Sequence, residues 1–170
     1  MTRLLFSLLV VTAACLCAHA VNPVLKLAGQ GMALLRPVFA LENTLQGKVL
    51  GAVGGVDVTE VQEELAAIKR NKITCIYTYA LSPFSTEALA CLDAAGATYE
   101  KRELGLEWFL LGPKASVLRA ELLALTGQSS LPQVFIGGES IGGLATGTPG
   151  LAALQESGEL EAKLRAAKAL

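Results

Sequence analysis

Histidine is almost missing: the 170 residues hold one, His19, and it lies inside an N-terminal stretch with the features of a signal peptide. Arg3 supplies the positive start, Leu4 to Ala18 run without a charge, and Ala18-His19-Ala20 has the small-x-small pattern of a cleavage site. The uncharged run is shorter than the ~18 residues of a membrane span, which favours a cleaved signal over an anchor helix. The mature chain is then expected to begin at Val21 with no imidazole at all. Ser-His-Asp and Cys-His catalysis, zincin helices and most zinc sites each need at least one, so they are excluded.

Cysteine is scarce in the same way. Cys15 and Cys17 leave with residues 1–20, and the remaining pair, Cys75 and Cys91, has no Cys-x-x-Cys spacing and cannot supply four zinc ligands, so no metal is expected. An excess of positive charge is also lacking: 14 Lys and Arg face 15 Asp and Glu, and loss of Arg3 leaves 13 against 15, a net charge of −2. That balance excludes a general nucleic-acid footprint. Neither a GxxxxGK[ST] loop nor a GxGxxG turn is present, which removes the usual signatures of nucleotide binding.

What is present divides into three parts: residues 1–20, an extension over 21–56, and a main domain over 57–170. In the extension, Asn22 can cap and Pro23 can open a helix that sets Val24, Leu25, Leu27 and Ala28 against Lys26, Gln30 and Arg36. Pro37 interrupts it, and Gly47 to Gly55 has the composition of a flexible linker. Four readings stay open: a docking helix for a membrane surface or partner over 21–46, the second half of a bipartite plastid-type signal, a helix packed on the main domain, or a poorly ordered extension.

From Asp57 the punctuation is regular. Thr59 and Gln62 stand in capping-box spacing ahead of a helix burying Val61, Leu65 and Ile68. A strand over 73–79 follows, then a helix opened by Ser82-Pro83, a strand over 98–103, and a helix between Pro113 and Gly127. Strands over 133–136 and 139–141, joined at Gly137-Gly138, lead to a final helical stretch from Pro149 almost to Leu170. The predicted class is α/β, with a four-stranded mixed sheet flanked by helices and an N-terminal helical extension.

These elements, with a Pro at the start of the second helix of the domain and Leu131-Pro132 before the third strand, resemble the thioredoxin fold. Particular stretches sharpen the resemblance to the glutaredoxin family. Ile76-Tyr77-Thr78 leads to Ser82-Pro83-Phe84-Ser85 where glutaredoxins carry Cys-Pro-Tyr/Phe-Cys. Leu131-Pro132-Gln133-Val134-Phe135-Ile136-Gly137-Gly138-Glu139 resembles the family's Val-Pro-Gln-Val-Phe-Ile segment, and Ile141-Gly142-Gly143 its glycine pair. The resemblance covers about residues 57–165 and implies glutathione-dependent disulfide exchange next to a cis-proline.

The departure falls where that chemistry occurs. Ser82 and Ser85 replace the nucleophilic and resolving cysteines, and a serine can neither be brought to the thiolate state by a helix N-terminus nor form a disulfide. Ser82 reads equally as an N-cap ahead of a Pro at N1. Of the family's glutathione anchors, the basic position is occupied by Tyr79 and the acidic pair by Leu144-Ala145-Thr146, leaving the backbone of Leu131. Charge-assisted bonds contribute roughly 1.5–3 kcal/mol each, so glutathione, the one cofactor the resemblance offers, is expected to bind weakly if at all. An iron-sulfur cluster loses its protein thiolate as well.

The resulting expectation is a domain without redox activity that binds a peptide, protein or thiol-containing ligand in the inherited groove, through Tyr79, Ser82, Phe84, Leu131, Pro132, Gly142, Gly143 and Thr146. The alternative is an atypical oxidoreductase working through Cys75 or Cys91. The stretch Leu104 to Lys114, with Trp108 and Phe109, reads as an insertion, either a partner or membrane contact or a short helix packed on the core. The signal implies the secretory pathway, ending outside the cell, in an organelle lumen or in a plastid.

Overall fold

The computed structural model describes residues 21–33, 54–105, 112–128 and 130–170, with residues 29–33 given by their backbone. The expected signal over 1–20, the stretch 34–53 and Trp108 lie outside the described residues.

Helix α1 (Pro23–Ala33) opens as the Asn22-Pro23 pair predicts, with Asn22 Oδ1 accepting from the Val24 amide at 2.9 Å. Its first turn is tied to the domain. Val21 and Leu25 join the hydrophobic core, the Asn22 amide donates to Glu87, and Lys26 pairs with Glu156. Of Val24, Leu25, Leu27 and Ala28, only Leu25 packs on the core, while Val24 and Leu27 face solvent and Lys26 pairs with Glu156 at the surface.

Helix α2 (Val58–Arg70) buries Val61, Leu65 and Ile68. Its cap is Asp57, whose side chain accepts from the Thr59 amide, rather than the expected Thr59 and Gln62 box. Strand β1 (Cys75–Tyr79) begins two residues later than expected, because the Ile73 amide is spent on the Ile68 carbonyl in closing α2. Helix α3 (Pro83–Ala94) follows, then strand β2 (Glu100–Leu104), delayed because the Thr98 amide bonds the Ala169 carbonyl.

Helix α4 (Pro113–Thr126) leads to strands β3 (Gln133–Ile136) and β4 (Glu139–Gly142). The final helical stretch is two helices, α5 (Leu151–Ser157) and α6 (Leu160–Ala166), parted at Gly158. The four strands form one mixed sheet in the order β2-β1-β3-β4, with β1 parallel to β2 and antiparallel to β3.

Side chains alternate across this sheet, and each face buries its own core. Ile76, Val134, Ile136 and Ile141 pack against α3, α5 and α6, while Cys75, Tyr77 and Phe135 pack against α2 and α4. Arg102 on β2 ties the second face together. Its guanidinium donates to Glu64 at 2.7 Å, Tyr77 Oη at 2.9 Å and Glu100 at 3.1 Å, and lies 5.4 Å from the centre of the Tyr77 ring.

Candidate functional site

The end of β1 and the start of α3 hold the serine pair. Ser82 has extended backbone angles and caps α3, its Oγ accepting from the Ser85 amide at 3.3 Å, while Pro83 sits in the first turn, where a missing N–H costs nothing. Ser85 is buried, and its Oγ accepts from the Tyr79 amide at 3.1 Å. The Ser82 amide donates to the Tyr79 carbonyl at 3.0 Å, so Tyr79, Ser82 and Ser85 form one closed turn. Both hydroxyls hold backbone in place, and neither sits beside a histidine, since the described residues contain none.

Next to this turn lies an open cleft lined by Phe84, Ser130, Leu131, Pro132, Leu144 and Thr146. Of the sequence-predicted residues, the fold therefore brings Phe84, Leu131, Pro132 and Thr146 to one surface, while Tyr79, Ser82, Gly142 and Gly143 are not among its lining. Among the described residues, none that line it is ionisable. Its volume of about 50 Å³ takes one small apolar side chain. The Leu131-Pro132 peptide bond is cis.

The cleft rests on two buried glutamines that the sequence reading did not single out as a pair. Gln128 Nε2 donates to the carbonyls of Ser130 at 3.0 Å and Pro132 at 3.1 Å, and its Oε1 accepts from Thr146 Oγ1 at 2.7 Å. Gln133 Nε2 in turn donates to the Gln128 carbonyl at 2.5 Å, and Thr126 Oγ1 donates to Gln133 Oε1. Gly143 is required by this closeness: a Cβ there would stand 2.8 Å from the Pro132 carbonyl oxygen and 3.0 Å from Gln128 Nε2. Gly142 and Gly143 thus shape the cleft from beneath.

The two cysteines among the described residues, Cys75 and Cys91, are elsewhere. Both are fully buried free thiols, and burial pushes each up from 9.0 to about 11, with Glu87 adding to the effect at Cys91. At Cys75 the Arg102 guanidinium opposes the shift without cancelling it. Among the described residues no group of three His, Cys, Asp or Glu side chains could hold a metal ion, and no helix is long and apolar enough to cross a membrane.

Residues 75–141 match the Glutaredoxin family model, and the sheet and helices around them form a domain of the glutaredoxin family with the thioredoxin fold. A glutaredoxin of Ricinus communis is 35% identical over 68 residues, which are 40% of this chain and 62% of that protein, so the chain spans less than two thirds of that relative. The crystal structure of oxidized glutaredoxin 2 from Chlamydomonas reinhardtii is 28% identical, with a TM-score of 0.55 over 68% of this chain and all of that one. A buckwheat glutaredoxin-glutathione complex is 22% identical with a TM-score of 0.53, covering 74% of this chain and 96% of that one, and shares the fold.

Proposed function

We propose that this glutaredoxin-like domain performs no thiol-disulfide chemistry and instead binds an extended, uncharged peptide segment of a partner protein in the cleft beside Pro132. The observation that carries this reading is the pairing of Ser82 and Ser85: the two positions of the family's dithiol hold hydroxyls that cap α3 and close the Tyr79 turn. Disulfide exchange begins with a thiolate attacking sulfur, and serine offers no thiolate and no sulfur. Cys75 and Cys91 are poor substitutes, since a thiol that ionises near 11 and has no solvent contact neither reaches a substrate nor carries charge at neutral pH.

The lining favours apolar contact. Phe84, Leu131, Pro132 and Leu144 give an apolar wall, Thr146 and Ser130 give a polar rim, and Leu81 stands exposed on the adjoining turn. A ligand with two carboxylates, such as glutathione, would meet no cation there, whereas an apolar peptide side chain would meet the Phe84 ring and the Pro132 ring. Leu131 is half-buried at the edge of the cleft, and an extended partner can lie along it.

The test is a selection of random heptapeptides displayed on phage against the full chain, with recovered peptides synthesised and titrated into native protein and a Thr146→Arg variant. Recovered sequences with a common apolar residue, and at least about tenfold weaker binding by the variant, support the reading. No enrichment, or equal binding by the variant, overturns it.

A further inference from the structure

At the far end of β1 from Ser82, where α2 and α6 both end beside the β3-β4 turn, lies a second cavity of about 520 Å³. That volume falls within the roughly 300–1,000 Å³ of small-molecule sites. Asn71, Lys72, Ile136, Glu139, Lys163 and Lys168 are among its walls. Lys163 donates to Glu139 at 3.0 Å, and that contact holds the Glu139 carboxyl below its usual range, so the single acid of the cavity is already matched. Lys72 and Lys168 take part in none of the ion pairs among the described residues.

The backbone at these two lysines is the unusual feature. Helices α2, α3 and α6 close with the same pair of bonds. The amide of the residue after the cap bonds three residues back, and the next amide bonds five residues back. That geometry puts the residue after the cap in the left-handed region. In α3 it is Gly96, with φ of 71°, whereas in α2 it is Lys72 with φ of 52°, and in α6 it is Lys168 with φ of 55°. Among the described residues, Lys72 and Lys168 are the only non-glycine residues with positive φ, and both line this cavity.

Attraction of a cation to a helix C-terminus does not account for them. Lys69 and Arg70 in the last turn of α2, and Lys163 and Arg165 in that of α6, already supply positive charge in unstrained helical backbone. Strained positions persist where the strain serves a site, and here two such positions place charge on one cavity.

We propose that this cavity binds a small phosphate-bearing anion, a phosphate monoester or diphosphate group, held by the ammonium groups of Lys72 and Lys168. Two ammonium groups suit the spread charge of a phosphate dianion, since an ammonium acts as a point charge and serves a tetrahedral oxyanion from any direction. The site is separate from the cleft beside Pro132 and stands or falls without it.

Isothermal titration of the full chain with inorganic pyrophosphate at low ionic strength tests the assignment. It is repeated with citrate, with a Lys72→Gly/Lys168→Gly double variant and with Lys114→Gln, a lysine outside the cavity. Saturable pyrophosphate binding by the native chain and by Lys114→Gln, weakened at least about tenfold in the double variant, is the expected result. The ligand-free double variant should melt at the same temperature as the native chain or higher, because glycine relieves both left-handed positions. Absence of saturable binding, undiminished binding by the double variant, or equal affinity for citrate overturns the proposal. So does a lower melting temperature of the ligand-free double variant, since the lysines would then serve the helix ends.

Discussion

Cys75 and Cys91 lie on opposite faces of the sheet: Cys75 points from β1 into the core shared with α2 and α4, and Cys91 points from α3 into the core shared with α5 and α6. A disulfide between them would have to pass through the sheet, and both are free thiols. Burial of each in its own core makes them small apolar residues in effect.

In native protein at pH 8, Cys75 and Cys91 should therefore resist iodoacetamide, and both should be labelled rapidly once denaturant is added. Mass spectrometry of the alkylated chain checks this, and rapid labelling of folded protein would contradict it. The same burial gives a pH dependence. Each thiol ionises near 11 in the folded chain against 9.0 when free, so the unfolded chain releases its protons first as pH rises. The thiols' contribution to stability is full below pH 9 and should be lost between pH 9 and 11, with Tyr99, raised from 10.0 to about 12 by burial and by Asp93, adding to the loss above pH 10. Melting temperatures across that range measure it.

Gln128 is the support of the cleft, and its loss should be felt twice. Gln128→Leu removes the donor to the Ser130 and Pro132 carbonyls and the acceptor for Thr146, at a cost of about 1–3 kcal/mol for groups left buried without partners. Chemical denaturation should show a lower midpoint, and amide chemical shifts should move around Leu131 and Thr146. An unchanged midpoint would mean the network contributes nothing net.

Thr78 gives the opposite case. Its hydroxyl is buried on β1 with no hydrogen-bond partner, so Thr78→Val keeps the shape and removes an unsatisfied oxygen. The variant should be more stable by about 1 kcal/mol, read as a higher denaturation midpoint. A lower midpoint would show that the hydroxyl is satisfied in solution.

Arg102 joins β2 to β1 and α2 through Glu64 and Tyr77. Arg102→Ala should cost about 1–3 kcal/mol, since it leaves the Tyr77 hydroxyl and the Glu64 carboxylate with fewer partners and uncovers the Tyr77 ring. Arg102→Lys should recover only part of this, because an ammonium cannot serve three oxygens in a fork.

The element order was legible because Val61, Leu65 and Ile68 repeat at helical spacing and because Ile73 to Tyr79 and Gln133 to Ile136 are strand-forming runs between clear breakers. The serine cap was legible too, since Ser82-Pro83 is a local signal. What escaped depended on distant partners. The Ile73 and Thr98 amides are taken by Ile68 and Ala169, which shortens two strands, and Lys26 pairs with an acid 130 residues away. Gln128 and Gln133 look like surface residues in sequence, and only the fold buries them together. Lys72 and Lys168 carry no local mark of left-handed backbone, which is ordinarily signalled by glycine.

The most direct test of the central claim is the rate at which residues 21–170, whose only cysteines are Cys75 and Cys91, reduce a small glutathione mixed disulfide when supplied with glutathione, glutathione reductase and NADPH. With hydroxyls at Ser82 and Ser85 and both thiols buried, the rate should equal that of glutathione alone. Turnover above that background, abolished by Cys75→Ala or Cys91→Ala, would contradict the account.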